Sequence, residues 1–493
     1  MISDRARASV ITIDVGTSSL KAVLYSRDGR ILGSSSQWYS YDSDQPGWAE
    51  GNPEDWWVAL QDALGELRRE GFALEKAEAL ACTGMMHGAV LMDDNDQIIP
   101  PTILWLDRRA TGETEELQDL LRLPLYQLNS THTLPKLLWL HRHRPEVLAK
   151  THAILWPKDY LRFRLTGEYC TDLTEALGAA LLDWDSHAWA TERLDAVGLD
   201  AAVLPKMRPA SEDGGAIRPD VARSLGLSPE IRVVVGMGDA AALFGAAPPK
   251  TGRVTCSMGS SSMIFSPIAA GQSVEDPDRR LYVYPFGPYP LLGGISSTTG
   301  SSLVWAYEKI CQGEALGSSF EECVARALEV EPGAEGLCFL PYLAGERSPY
   351  WNDELRGGFY GLQLTHDYRH QVRAVMEGVA YSLRHLLDIY EELGVSIHEI
   401  ALAGGGTTTE GWPQIFADAC QRDVLIYAGK ETVTRVMFAL CKEHLGLASF
   451  ENSLLQTFDE PAVVHHRQEL ESRYDEGYRR YRALAQFALQ QAA

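Results

Sequence analysis

Four apolar stretches of the chain stop at glycine: SVITIDVG (9–16), IRVVVGMG (231–238), GRVTCSMG (252–259) and IALAGGG (400–406). Short runs rich in Val and Ile that end on a turn residue predict buried strands. Helical periodicity lies between them. In NPEDWWVALQDALGELRREG, Trp56, Leu60, Leu64 and Leu67 fall on one face. Asn52 is placed to cap that helix, Pro53 suits its first turn, Asp55 sits near the positive end, and Gly71 closes it. In HQVRAVMEGVAYSLRHLLDIYEELG, Val372, Val375, Val379, Leu383 and Leu386 form the stripe and Gly394 ends it. Strands alternating with helices predict an α/β fold.

The pattern also repeats. VITIDVGTSSLKAVLY lies over RVTCSMGSSSMIFSP, with Val15-Gly16-Thr17-Ser18-Ser19-Leu20 on Met258-Gly259-Ser260-Ser261-Ser262-Met263. Each is an apolar strand, a small polar turn and a second strand. The second copy begins about halfway along, which points to two similar domains. The seam is expected in GAAPPKTG, Gly245 to Gly252, where Pro248 and Pro249 interrupt structure.

A length of 493 residues fits two or three domains. The formal net charge of -23 speaks against nucleic acid, whose phosphates need clustered Lys and Arg. It leaves room for a phosphate-bearing small molecule. No apolar run reaches the ~20 residues of a membrane span, and MISDRARASVITIDVG does not read as a signal peptide. The eight cysteines form no C-x-x-C pair, so zinc is not expected. Buried free thiols in a reducing cytoplasm are. The NST at Asn129 is read as a chance sequon.

The turn Gly16-Thr17-Ser18-Ser19 offers open backbone N–H groups and hydroxyls, the donors a polyphosphate needs. There is no P-loop motif, and no G-x-G-x-x-G follows a strand. Two such turns, one per domain, would grip one nucleotide from both sides. Asp14, at a strand end beside phosphates, would hold Mg²⁺. Asp239, after an apolar strand, would act as a general base. Each has a plain structural reading as well: a capped hairpin for the first, a helix-capping aspartate for the second. The same holds of His87 between Gly84 and Gly88, of Trp105, Asp107 and Arg108 in WLDRR, of the glycines of LAGGGTTTEGW, and of the polar loop GERSPYWNDELRGGFYGL.

Taken together and in order, DVGTSSLK, MHG, WLDRR, PKDYLRFRLTGE, GDAA, SMGSSS, GERSPYW, RAVMEGVAYSLR and GGGTTTEGW resemble the FGGY family of carbohydrate kinases over roughly Val10 to Leu445. The resemblance implies two similar actin/ribonuclease-H-like domains, 1–247 for sugar and 248–493 for nucleotide, with the cleft between them. It implies ATP and Mg²⁺ as cofactors, a small sugar substrate, a cytoplasmic protein, and neither nucleic acid nor membrane as partner; it leaves a homodimer open. Within the family, MMHGAVLMD, PTILWLDRR and the LPKLLWLHRHRPEV…PKDYLRFRLTG region are most similar to xylulokinases, which make D-xylulose 5-phosphate. Gluconate or other ketose kinases, and a non-catalytic sugar sensor, are the alternatives.

Carried over residue by residue, the resemblance makes Asp239 the base and a sugar contact, and Asp14 the Mg²⁺ residue. Gly16, Thr17, Ser18, Gly259 and Ser260 would face the terminal phosphates. Gly300, Gly405, Gly406 and Thr409 would border the nucleotide, and Met86, His87 and Asp107 would line the sugar pocket. One segment departs from the family's small-residue pattern: ETVTRVMFAL puts Thr434, Arg435, Val436, Met437 and Phe438 where Gly and Ala are expected. Apolar residues of that size are expected to be packed into core rather than left in a pocket.

Overall fold

In a computed structural model, residues 8–123, 126–269, 272, 274–286, 289–312, 318–427 and 431–492 are described. The chain divides into two compact units, Met1–Gly245 with Glu431–Thr457, and Ala246–Lys430 with Phe458–Ala493.

The first unit is built on a six-stranded sheet. Its strands are β1 (Ala8–Val15), β2 (Ser19–Ser26), β3 (Ile31–Trp38), β4 (Ala79–Gly84), β5 (Asp213–Ala216) and β6 (Arg232–Val234). They lie in the order β5-β6-β4-β1-β2-β3, with β1, β4 and β6 parallel and the others antiparallel to their neighbours. Val10, Ile11, Thr12, Ile13 and Val15 are all fully buried, as expected of a strand covered on both faces. The helix Pro53–Arg69 joins Ile11, Ile13 and Val15 in one core through Trp56, Leu60, Leu64 and Leu67. Asn52 caps it by accepting from Glu54 N at 3.2 Å, and Gly71, at φ +91°, lets the chain leave.

The second unit repeats the plan with β7 (Arg253–Met258), β8 (Ser262–Pro267), β9 (Tyr282–Phe286), β10 (Tyr289–Ser296), β11 (Glu399–Ala403), β12 (Val424–Tyr427) and β13 (Ala462–Val464). The order is β9-β10-β8-β7-β11-β12-β13. Laid over the first sheet, β7 stands for β1, β8 for β2, β10 for β3, β11 for β4, β12 for β6 and β13 for β5, with every parallel or antiparallel sense preserved. The internal repeat is thus a repeat of topology. The hairpins differ by one residue: Val15 pairs with Leu20, but Met258 pairs with Ser262. The helix Tyr368–Glu392 fills the middle of this unit's core; Asp367 and His370 form its capping box.

The division differs from one cut near residue 247, because the chain returns to the first unit over Glu431–Thr457. The reason is packing. The helix Thr432–His444 carries Val436, Met437 and Phe438, each fully buried, and it packs on β1 and β4. The Phe438 ring lies 5.0 Å from that of Tyr25, and the Tyr25 hydroxyl is 2.8 Å from Thr434 Oγ1. Lys442 Nζ donates to Arg27 O at 2.7 Å. These large side chains are core, as their size and apolarity predict. All eight cysteines are buried free thiols. Among the described residues no helix is long and apolar enough to cross a membrane.

Removing the Phe438 ring should leave a cavity beside Tyr25. Phe438→Ala is expected to cost about 3–5 kcal/mol in denaturant unfolding, whereas Phe487→Ala, at an exposed phenylalanine, should change stability by less than about 0.5 kcal/mol.

Candidate functional site

Three strand ends of the first unit meet at its C-terminal edge. Val15 pairs with Gly84, Gly84 bridges Gly238, and Met85 N donates to Val15 O at 2.8 Å. Glycine is required at Gly84, which faces Val15 backbone, and at Gly238 it leaves room for the Met86 side chain. A Cβ on Gly84 would stand 2.9 Å from Val15 Cβ, and one on Gly238 would meet Met86 Cγ at 2.5 Å. The residues beside these glycines, Asp14, Met86, His87 and Asp239, are thereby brought to one edge.

The Gly16–Ser19 turn is closed by Gly16 N donating to Ser19 O at 2.9 Å. Tyr39 braces it, donating its hydroxyl to Gly16 O at 2.6 Å and its amide to Ser18 O at 3.1 Å. Trp105 Nε1 donates to Thr17 Oγ1 at 2.9 Å. Burial, then the neighbouring Glu431 carboxylate, push the Asp14 carboxyl up to about 6; Lys21, its cross-strand partner, pulls the other way. Lys21 is itself paired with Glu431.

Asp239 opens a one-turn helix, Asp239–Ala242, and Oδ1 accepts from Ala240 N at 2.6 Å. Burial and then the charge of Asp14 push its carboxyl up to about 7, against backbone donors that favour the carboxylate. Its carboxyl therefore exchanges its proton near neutral pH rather than in the usual carboxylate range. His87 sits at φ +72°, with Nδ1 2.6 Å from Gly178 O. A carbonyl only accepts, so Nδ1 carries the hydrogen and Nε2 is left as an acceptor. Burial, and Lys136 nearby, hold the imidazole down to about 4, hence neutral. Lys136 Nζ donates to His87 O at 3.2 Å and to Thr131 O at 2.7 Å; burial lowers its amine to about 7.

Asp107 is engaged differently from a side chain that reaches for hydroxyls. Its oxygens accept from Ala49 N at 2.6 Å, Arg109 N at 2.8 Å, Arg109 Nη2 at 2.8 Å and Arg109 Nε at 3.0 Å. Arg109 stacks 3.6 Å from the centre of the Trp48 ring and pairs with Glu50 at 2.7 Å. The carboxylate ties two loops together, and its capacity to bond is spent on protein.

Sequence reading did not single out the support behind Asp239. Lys158, Asp159 and Arg162 on the helix Pro157–Thr166 are fully buried, as are Asp172 and Glu175 around the helix Leu173–Gly178. Lys158 Nζ is 2.6 Å from Asp159 Oδ1 and 3.0 Å from Asp172 Oδ1, and Arg162 Nη1 is 2.7 Å from Asp159 Oδ1. Asp172 accepts from Thr174 N and Oγ1, and Thr174 Oγ1 accepts from Gly238 N at 2.9 Å. The signal was there in PKDYLRFR, where charges at 158, 159 and 162 interrupt an apolar helix.

In the second unit, Gly259, Ser260, Gly300, Gly405 and Gly406 gather at the ends of β7 and β11. Gly300 N donates to Gly259 O and Thr299 N to Ser260 O, each at 2.9 Å. A Cβ on Gly300 would lie 2.6 Å from Gly259 O, and one on Gly406 2.9 Å from Met258 Cβ. Gly404, at φ +89°, abuts Met258 O as Gly84 abuts Val15. Thr409 N, at the end of this glycine turn, donates to Gly406 O at 3.2 Å. The result is a glycine-lined surface with a stretch of open backbone at Gly405, where a Cβ would meet nothing within 4 Å.

Among the described residues no group of three His, Cys, Asp or Glu could enclose a metal. Asp14 and Asp239 nevertheless fit Mg²⁺, which keeps most of its waters and needs only one or two hard carboxylates beside phosphate oxygens. Burial first, and neighbouring carboxylates second, raise both carboxyls, and a cation would lower the second of these costs.

Residues 9–245 match the family model for the N-terminal domain of the FGGY family of carbohydrate kinases, and residues 254–435 match that for its C-terminal domain. The chain is similar to a xylulose kinase of Bacillus subtilis (strain 168), 33% identical over 420 residues, which cover 83% of either chain. It is also similar to a gluconokinase of the same organism, 28% identical over 432 residues, covering 85% of this chain and 84% of the other. A crystal structure of a xyloylose kinase from Brucella ovis superposes with a TM-score of 0.86 at 29% identity, covering 97% of this chain and 99% of that one.

If Asp107 is a tie between loops, Asp107→Asn should act on stability first. Breaking this buried pair with Arg109 is expected to cost roughly 3–5 kcal/mol in chemical denaturation. A variant as stable as the parent, with only a raised sugar KM, would instead make Asp107 a ligand contact.

Proposed function

Since this chain belongs to the FGGY family of carbohydrate kinases and is an ATP-dependent sugar kinase, we propose that it phosphorylates the terminal hydroxyl of D-xylulose, with Asp239 as general base and Mg²⁺ held at Asp14. The observation that carries this reading is Asp239 itself: a carboxyl raised to about 7 beside Met86 and the neutral His87.

The acceptor hydroxyl binds with its proton toward Asp239 and another hydroxyl donating to His87 Nε2. As the hydroxyl oxygen bonds to the terminal phosphorus of ATP, its proton passes to Asp239 and the bond from that phosphorus to the bridging oxygen breaks, releasing ADP. Phosphoryl transfer asks mainly for alignment and charge neutralisation. In the first unit Thr17 and Ser18 offer N–H and O–H donors to phosphate, on a turn that the Gly16 N–H closes; in the second Ser260 offers the same, on a turn that the Gly259 N–H closes. Gly300, Gly405, Gly406 and Thr409 offer the nucleotide an uncluttered backbone surface. Mg²⁺, when bound, supplies charge neutralisation at the phosphates.

A ketose is favoured over gluconate by similarity, the xylulose kinase relative being 33% identical to this chain and the gluconokinase 28%.

Sugar-dependent ADP release across D-xylulose, D-ribulose and gluconate tests the substrate, and kcat/KM should be highest for D-xylulose. No turnover with any of the three would leave a sugar sensor as the reading. Asp239→Asn should lower kcat by about 10²–10⁴ with folding intact, because the amide cannot accept the proton. For the parent, kcat should fall as pH drops below about 7, where Asp239 becomes protonated. His87→Ala should raise the sugar KM by roughly tenfold to a hundredfold and leave the ATP KM near its parent value.

A further inference from the structure

Glu175 is a carboxyl with no assigned partner at the back of this site. It lies on the helix Leu173–Gly178, is fully buried, and neither of its oxygens makes a hydrogen bond. Gly178 follows it by three residues and so shares its face of the helix. That face looks at the acceptor wall: a Cβ on Gly178 would stand 2.6 Å from Met86 Cε and 3.2 Å from His87 Nδ1. The preceding residue, Thr174, holds Gly238 N, one residue before Asp239.

The charged groups that bear on Glu175 are Lys158 and Asp159 from the helix Pro157–Thr166, Asp172 at its own helix cap, and Asp239. Lys158 and Arg162 are matched by Asp159 and Asp172, two cations to two carboxylates. A third carboxylate at 175 would be unmatched, in a position closed to water.

Resting on the reading of Asp239 as base, we propose that Glu175 is a positioning residue for the acceptor wall and works as an uncharged acid. Burial, with the three neighbouring carboxylates, drives the Glu175 carboxyl well above its usual range, while Lys158 opposes.

The test compares Glu175→Gln, which mimics the neutral acid, with Glu175→Ala. A carboxyl raised in the folded state costs stability progressively as pH climbs above its unfolded value. The melting temperature of Glu175→Gln should therefore gain on the parent from about pH 5.5 to about pH 9. Its kcat should stay within about threefold of the parent, with the acid limb of the kcat profile unmoved. Glu175→Ala should lose at least about tenfold in kcat with the ATP KM unchanged. A Glu175→Gln protein less stable than the parent through that range, or an acid limb displaced downward by more than about 0.5 pH unit, would mean that Glu175 is charged and would overturn the proposal. So would a Glu175→Ala protein with parental kcat and sugar KM. If Glu175→Ala does not fold, the Glu175→Gln measurements decide alone. The melting comparison reads the charge of Glu175 whether or not Asp239 is the base, so the two readings fail separately.

Discussion

The acidic edge of the first unit depends on one steric constraint, the approach of Val15, Gly84 and Gly238 to one another. Parallel pairing of β1 with β4 carries Val15 against Gly84, and the bridge from Gly84 to Gly238 brings in the chain after β6. A single added methyl at Gly84 would collide with Val15. Only while that contact is kept can Asp14 and Asp239 come near enough for one charge to raise the other. The second unit keeps the constraint at Gly404 and Met258, but Ser257 stands where the first has Asp14. The same scaffold therefore presents acids in one unit and an uncharged, glycine-rich surface in the other.

Burying Asp239 and His87 removes water, which then has to be replaced by protein dipoles and paired charges. The Lys158–Asp159–Arg162–Asp172 network does this behind Asp239, through Thr174 and Gly238. Such a network is weak evidence for net stability, since desolvation offsets much of the attraction. It also links the two helices, since Lys158 on one pairs with Asp172 at the cap of the other.

Local sequence carries what is local. The glycine-ended strands, the Asn52 cap, the Gly71 exit and the hairpin of β1 and β2 all follow from residues adjacent in the chain. The duplication was legible because both copies keep an apolar strand, a small polar turn and a second strand. The one-residue difference in turn length was not, since Ser261 and Ser262 look alike until strand register is known. WLDRR does not say that Arg109, two residues on, will bond to both oxygens of Asp107. Glu175 and Lys158 were passed over for a related reason. Charge on a helix ordinarily means solvent, and only the sheet behind these helices makes them buried.

The return of Glu431–Thr457 to the first unit governs the order in which the protein can be made. On a ribosome the first 245 residues emerge without the helix that covers β1 and β4, leaving Tyr25 without Phe438. The first unit to be synthesised is thus completed only after most of the second has been translated. Until then its sheet exposes an apolar face to the cell, a natural substrate for chaperones. Neither unit corresponds to a contiguous fragment, so expression of either half by simple truncation would yield an open core rather than a domain.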